Sequence, residues 1–181
     1  MYKRRVATMK EASKCAHRVM QYLNGMGVDI GCGNDKVKPD AIGIDKNQSS
    51  DATIIWSDLN ALPFKSRSLD YVFSSHCLED LRDKYSALVE WLRILKPGGY
   101  LILYLPHKSY YPNIGTPFAN KDHYEDIDEN DIIQVLEAIK THKRLKLEIV
   151  SCKVYAPPGE KYDFKKRETI EYSFEMVVQK K

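Results

Sequence analysis

Five short apolar runs in the first part of the chain each predict a buried β-strand. They occupy residues 26–30, 41–44, 53–56, 69–74 and 100–105. The segments that connect the first three runs are too short for ordinary crossover helices. We therefore expect a sheet whose first two connections are short and lack the usual helices.

Apolar residues recur with helical spacing in three other segments. The first helix is expected within residues 10–23, the second ends before Pro97, Gly98 and Gly99, and the third begins after the capping residue Asp128. Their apolar faces consist of Ala12, Cys15, Ala16, Val19 and Leu23, of Leu81, Tyr85, Leu88, Leu92 and Leu95, and of Ile132, Leu136 and Ile139.

Two more strands are predicted at the end of the chain, at residues 145–155 and 170–178, and apolar residues alternate along the second. Because no helical pattern separates them, they should form an antiparallel pair. The long segment 106–128 is rich in Pro, Tyr, His and Asn. Long loops inside compact domains are often functional, so this segment is a candidate lid over a substrate.

Composition narrows the class of protein. The chain has 181 residues and a net charge of +3, which fits one domain, residues 1–181, and gives no electrostatic case for a nucleic-acid partner. No apolar run is long enough to span a membrane, and the basic N-terminus lacks the apolar core of a signal peptide, so we expect a cytoplasmic protein. The four cysteines form neither a CxxC pair nor a zinc-binding spacing, which predicts reduced thiols and no metal site.

The most informative motif is VDIGCGN at residues 28–34, followed by AIGID, which ends in Asp45. Glycines let the backbone turn sharply beside a ligand, and a carboxylate at the tip of the next strand can accept hydrogen bonds from a ribose diol. A dinucleotide fingerprint would carry a third glycine where this chain has Lys36. Asp29 beside the turn would repel a pyrophosphate but could hold an ammonium group.

The acid-x-Gly-x-Gly pattern resembles that of class I S-adenosylmethionine-dependent methyltransferases. Three further segments resemble the successive motifs of the small-molecule (type 11-like) branch of that family, in the expected order: WSDLNALPF at 56–64, SLDYVFSSHCLEDL at 68–81 and LRILKPGGYLILYLPH at 92–107. The resemblance implies S-adenosylmethionine as cofactor. It also implies an α/β fold, a Rossmann-like doubly wound seven-stranded sheet that is mostly parallel with an antiparallel C-terminal strand.

The resemblance also implies which residues bind the cofactor. Asp29 and the glycine turn suit the methionine end, Asp45 suits the ribose, Leu59 and Ile44 suit the two faces of adenine, and Asp58 suits its amino group. Ser75 and His76 would lie under the methionine portion. The complete expected set is Asp29, Gly31, Cys32, Gly33, Asp45, Lys46, Asp58, Leu59, Ser75 and His76.

One position departs from the family pattern. Many members have a third glycine where this chain has Asp35, which we interpret as a surface residue, with a helix cap and altered cofactor handling as the alternatives.

The acceptor is less defined than the cofactor. If it is a hydroxyl, transfer needs a base, and histidine suits that role. His107 and His76 are the leading candidates, and His123 and His17 are the others. We expect a small-molecule or glycan-precursor acceptor and no nucleic acid. The alternatives are a binding protein that keeps this fold without turnover and an NAD-dependent enzyme, which the missing third glycine disfavours.

Overall fold

The computed structural model describes residues 10–159, 162–167 and 169–181. One seven-stranded sheet runs through it in the order β3-β2-β1-β4-β5-β7-β6. The strands are β1 Gly27–Ile30, β2 Ile42–Asp45, β3 Ile54–Ile55, β4 Leu69–Ser75, β5 Leu95–Pro106, β6 Leu147–Tyr155 and β7 Ser173–Lys180. Strands β1 to β5 pair in parallel, whereas β7 is antiparallel to both β5 and β6. The predicted α/β fold is confirmed.

Within the described residues, three α-helices cover the sheet: α1 Glu11–Val19, α2 Lys84–Ile94 and α3 Glu129–Lys143. Within residues 31–53, which link β1 to β2 and β2 to β3, the chain forms no helix, as the short connections predict. The part of the chain that the structure describes also contains three 3₁₀ turns, at Met20–Tyr22, Leu78–Asp80 and Phe164–Lys166.

Alternating side chains of the strands divide the core between the two faces of the sheet. In β4, Val72 joins the cluster beneath α2 and α3, whereas Tyr71 and Phe73 join the cluster beneath α1. Trp91 of α2 is the largest fully buried side chain. Side chains that alternate along the strands and the apolar faces of the helices thus form two core layers, one on each face of the sheet.

Three predicted boundaries shift by three residues or more. Helix α2 begins at Lys84, because Asp83 caps it by accepting from the Ser86 N–H, and the helix ends at Ile94. Leu95 is already extended and pairs with Leu69, so β5 begins well before the predicted residue 100. Strand β7 begins at Ser173 rather than 170, because its ladder partner β5 ends at Pro106.

The last strand is buried on both faces rather than on alternate positions. It lies between β5 and β6, and both of its faces contact side chains of the core. Strand β6 therefore forms the edge of the sheet and keeps most of its residues exposed or half-buried.

Candidate active site

Two cavities open at the carboxyl ends of the parallel strands, where open α/β sheets bind their ligands. The first has a volume of about 370 Å³ and includes the glycine turn, Asp29, Glu11 and Ser75 in its wall. The second has a volume of about 260 Å³ and includes Asp45, Trp56, Leu59 and Asp80. Gly31 and His76 line both cavities, so the two spaces meet there.

The glycine turn has the left-handed backbone that its sequence predicts. Gly31 has φ +73° and Gly33 has φ +50°, conformations that L-residues with a side chain rarely adopt. A Cβ on Gly31 would lie 2.6 Å from the Cys77 sulfur, whereas a Cβ on Gly33 would enter open space. Gly31 is thus needed for packing, and Gly33 keeps open a space into which a ligand fits.

Asp45 is held by the turn that it faces. Its Oδ2 accepts from the Gly33 N–H at 2.9 Å, and its Oδ1 accepts from the Asn47 N–H at 2.7 Å. Each carboxylate oxygen can accept a further hydrogen bond, so both can still receive the hydroxyls of a ribose. Asp45 lines the second cavity, and so does its exposed neighbour Lys46.

Asp29 is almost fully buried, with 1% of its surface exposed. Its Oδ2 accepts from the Val37 N–H at 2.6 Å, which ties the short β1–β2 connection to the sheet. Burial raises the pKa of Asp29 to about 7, and this hydrogen bond opposes part of the rise. Asp29 therefore has a structural role in addition to its place in the cavity wall. Cys32, its neighbour in that wall, is also buried.

The adenine end differs from the expectation in two residues. Ile44 is fully buried in the core and lines neither cavity. Asp58 is exposed, and its Oδ1 accepts from the Asn60 N–H, so it too is outside both cavity walls. Leu59 is in the wall, and Trp56 supplies the flat surface that Ile44 does not. The Trp56 indole N–H donates to the carbonyl groups of Asp58 and Ala61, which fixes the ring.

Ser75 and His76 lie at the tip of β4, as expected. The Ser75 hydroxyl is buried and has no hydrogen-bond partner among the described residues. His76 has φ +47°, its Nε2 is 2.9 Å from the Ser173 hydroxyl, and the same nitrogen is 3.6 Å from a carboxylate oxygen of Glu11. Burial lowers the pKa of His76 well below its usual range.

His107 occupies a different place from the one expected of a base. It is buried, its Nδ1 accepts from the Ser109 N–H, and its Nε2 is 3.0 Å from Glu129 at the start of α3. It lines neither cavity. Its contacts join the end of β5 to α3. His17 is exposed on α1, and His123 is buried beside Glu79.

Asp35 is not a plain surface residue, in contrast to the interpretation of its sequence position. It is half-buried, and its carboxylate accepts from both the N–H and the hydroxyl of Ser13 in the first turn of α1. Lys10, at the N-cap position, makes no capping hydrogen bond, so Asp35 caps α1 from another part of the chain. The helix-cap alternative therefore describes its role.

Sequence reasoning missed Glu11, which lines the first cavity and is 8% exposed. Burial raises its pKa, and the Lys14 ammonium at 2.9 Å opposes the rise. A signal was available, because Glu11 precedes Cys15 by one helical turn and so shares the apolar face of α1.

These residues fit S-adenosylmethionine. The open space above Gly33 admits a ligand close to the backbone, the unpartnered Ser75 hydroxyl can bond to it, and carboxylates line both cavities. Asp29, the glycine turn and Ser75 would hold the methionine end. Asp45, Trp56 and Leu59 would hold the adenosine.

Comparisons with known proteins identify the family of the chain. Residues 12–103, about half of the chain, match a family model described as a methyltransferase domain. A demethylmenaquinone methyltransferase of Renibacterium salmoninarum is 38% identical over 60 residues, which cover 33% of this chain and 25% of that protein. The aligned segment thus spans about a quarter of that relative's length.

Solved structures share the whole fold. A protein of Thermotoga maritima, described as an S-adenosylmethionine-dependent methyltransferase and possible histamine N-methyltransferase, superposes with a TM-score of 0.68 at 18% identity, covering 95% of this chain and 90% of that one. An S-adenosylmethionine-dependent methyltransferase of Archaeoglobus fulgidus gives 0.63 at 16% identity, covering 94% and 92%.

Within the part of the chain that the structure describes, no helix is long and apolar enough to cross a membrane. The family model, the sheet order and the glycine turn at the carboxyl ends of β1 and β2 agree with one another. The chain therefore belongs to the methyltransferase-domain family, within the class I S-adenosylmethionine-dependent methyltransferases.

Proposed function

We propose that this protein transfers a methyl group from S-adenosylmethionine to a small-molecule acceptor, with glycan precursors among the candidates. The observation that carries the proposal is the meeting of the two cavities at Gly31 and His76. The adenosine and methionine portions each have a cavity of their own, so the reactive centre between them falls at the junction.

When bound, the cofactor supplies an electrophilic methyl group on a sulfonium. An acceptor would take that methyl as the carbon–sulfur bond breaks, and the electron pair of that bond would stay on the sulfur. The protein holds the two reactants in line, and such positioning accounts for much of the rate in reactions of this kind. The glycine turn and Asp45 would fix the donor, and the part of the first cavity beside Glu11 that the methionine portion does not fill would receive the acceptor.

His76 is the proposed base for a hydroxyl acceptor. It lies at the junction, and the Ser173 hydroxyl and the left-handed backbone hold its ring in one orientation. His107 is a weaker candidate, because its ring contacts Glu129 and Ser109 instead of a cavity.

The acceptor class draws support from two relatives. The Renibacterium relative is named for demethylmenaquinone, and the Thermotoga structure is described as a possible histamine N-methyltransferase. Both names specify small organic molecules. We propose a small organic molecule as the acceptor of this chain as well, and we do not propose either of the two named compounds.

Residues 1–181 are proposed to act as one domain, with residues 106–128 as its lid. The described ends of the lid are anchored: Lys108 N–H donates to the Ile127 carbonyl, and Tyr124 N–H donates to the Glu79 carbonyl. Residues 113–118 between these anchors are exposed. A lid motion would therefore involve the middle of the segment and leave its ends in place.

The decisive experiment is calorimetry with S-adenosylmethionine, S-adenosylhomocysteine and NAD side by side, followed by an acceptor screen. The screen covers sugars, nucleotide sugars, phenols and quinones and detects release of S-adenosylhomocysteine. Binding of the first two ligands but not NAD, with turnover of one acceptor class, is expected. Tight cofactor binding without turnover of any acceptor would favour the non-catalytic alternative, and NAD binding alone would refute the proposal.

A further inference from the structure

A group of three metal-binding residue types lies beside the second cavity. Glu79 and Asp80 come from the 3₁₀ turn after β4, and His123 comes from the 106–128 segment. One ligand atom from each lies within 4.8 Å of the other two. The His123 Nε2 is 3.5 Å from Glu79 Oε1 and 4.0 Å from Asp80 Oδ1.

These polar atoms are buried without hydrogen bonds. The Glu79 side chain has no exposed surface and the His123 side chain is 2% exposed. Both Glu79 oxygens, Asp80 Oδ1 and His123 Nε2 lack a hydrogen-bond partner among the described residues. Buried polar groups almost always have a hydrogen-bond partner, and burying a carboxylate without one costs folding free energy. These atoms therefore point to a bound ligand.

A shared proton does not satisfy the group. The 3.5 Å separation of Glu79 and His123 is too long for a good hydrogen bond, and so is the 3.8 Å separation of Glu79 Oε1 from His76 Nδ1. Ligands on ~2.1 Å bonds in a tetrahedron lie about 3.4 Å apart. The 3.5 Å separation of His123 from Glu79 is close to that spacing, and the 4.0 Å separation of His123 from Asp80 would shorten when a cation binds.

The position of His123 is fixed by the fold. The N–H groups of Tyr124 and Glu125 both donate to the Glu79 carbonyl, at 2.9 and 3.3 Å, which ties this part of the segment to the 3₁₀ turn. The Tyr111 ring stacks on the His123 imidazole at a centroid distance of 5.5 Å. The three side chains are therefore brought together by backbone hydrogen bonds and ring packing, before any ion binds.

We propose that Glu79, Asp80 and His123 bind one divalent cation, with Zn²⁺ the best match. Two carboxylates and one neutral imidazole balance a double positive charge. Mixed nitrogen and oxygen ligands suit Zn²⁺, whereas Mg²⁺ prefers octahedral oxygen ligands and retains water. Three protein ligands leave one tetrahedral position open, the pattern of accessible rather than closed zinc sites.

The site shares Asp80 with the wall of the second cavity, whereas Glu79 and His123 are outside that wall. Asp80 lines the second cavity and its side chain is 23% exposed, so an ion can reach the site from that cavity. The absence of a zinc-like spacing in the sequence does not argue against the site, because His123 approaches from a distant loop. The inference goes beyond the proposed methyl transfer and does not depend on it.

The test uses the full chain, stripped of metal by a chelator and then titrated with Zn²⁺, Mn²⁺ and Mg²⁺ by calorimetry. We expect one Zn²⁺ per chain, weaker Mn²⁺ binding and the weakest with Mg²⁺. Co²⁺ loading should give visible bands without a thiolate charge-transfer band, because no cysteine is in the ligand set. Zn²⁺ should also raise the melting temperature.

Variants locate the site. His123→Ala and Asp80→Asn should each weaken Zn²⁺ binding, and for His123→Ala by more than ~100-fold, because even changes behind the ligands cost 10–100-fold. The isosteric Glu79→Gln serves as the variant that best preserves the buried packing. Matched controls are His142→Ala and Glu137→Gln, which change exposed residues of α3 and should bind Zn²⁺ like the unaltered protein.

Three outcomes would overturn the proposal: no Zn²⁺ binding by a folded protein, Zn²⁺ binding that survives both His123→Ala and Glu79→Gln, or a thiolate band in the Co²⁺ spectrum. Circular dichroism of the metal-free variants establishes that they are folded. Binding of S-adenosylhomocysteine is measured on the same samples, so failure of the metal site is distinguishable from failure of the cofactor site.

Discussion

The backbone N–H of Gly33 donates a hydrogen bond of 2.9 Å to Oδ2 of Asp45. This bond joins the turn after β1 to the tip of β2, so the two parts of the glycine motif hold each other in position. The Asn47 N–H completes the arrangement by donating to the other carboxylate oxygen. A change at either residue should therefore affect both cavities, because Gly33 lines the first and Asp45 lines the second.

Gly33→Val should abolish binding of S-adenosylhomocysteine, because the new side chain enters the open space that the cofactor would use. A β-branched residue at φ +50° also costs about 1–2 kcal/mol of stability. Gly98→Val is the matched control, since Gly98 also has a positive φ and open space but lies at the opposite end of the parallel strands. Calorimetry should show binding lost only in the first variant, and equal binding by both would place the cofactor elsewhere.

Asp45→Ala should weaken S-adenosylhomocysteine binding by about 1.5–3 kcal/mol, or roughly 10–150-fold, because a charged acceptor for the ribose is lost. Asp58→Ala is the comparison, because Asp58 is exposed and outside both cavity walls. Its affinity should match that of the unaltered protein. A large loss in Asp58→Ala would restore the original assignment of that residue to the adenine amino group.

Asp29 should make stability depend on pH. Its pKa is about 7 in the folded protein and 3.8 ordinarily, so between these values the folded state binds a proton that the unfolded chain does not. The free energy of unfolding should then fall as pH rises through this window, by up to about 1.4 kcal/mol per pH unit. Asp29→Asn should remove this component, which denaturant titrations from pH 4 to 8 would detect.

The same residue should make cofactor affinity rise with pH. An ionised Asp29 attracts the ammonium group of S-adenosylhomocysteine, so binding should strengthen between pH 5.5 and 7.5, by at most about tenfold per unit. Asp29→Asn should bind more weakly and without this dependence. An affinity that stays constant over this range in the unaltered protein would mean that Asp29 is a purely structural residue.

The two leading histidines should respond differently to substitution. His76→Asn, which keeps a residue tolerant of positive φ, should lower turnover on the order of 10²–10⁴-fold if the acceptor is a hydroxyl. His107→Asn should keep turnover close to normal but lower the melting temperature, because it loses contacts to Glu129 and Ser109. Assays use an acceptor from the screen, and the reverse pattern would make His107 the base.

Asp35→Ala should destabilise the protein by about 0.5–2 kcal/mol, the usual effect of removing a helix cap. The reason is that Asp35 accepts from Ser13 in the first turn of α1. The exposed Asp51 provides the control as Asp51→Ala. Urea titrations that gave the same midpoint for both variants would contradict the capping role.

The sequence by itself determined the order and type of the strands, the glycine turn and the positions of Asp29 and Asp45 at strand ends. Strand and helix periodicity are local properties, and they locate β1, β2, β4 and α3 to within a few residues. The positions of Gly31, Gly33 and Asp45 could also be predicted from the sequence. Each lies at or just after the end of a strand, so its position depends on its immediate neighbours. The antiparallel final pair also follows from the absence of a helix between two strand-like runs.

Only the tertiary structure decided which side chains meet. Trp56 rather than Ile44 reaches the second cavity, because the direction of a side chain at a strand end depends on how the following turn packs. His107 contacts α3, and Asp35 caps α1, through segments far away in sequence. The meeting of Glu79 with His123 is of the same kind, since it depends on two backbone hydrogen bonds between a turn and a loop that no local pattern encodes.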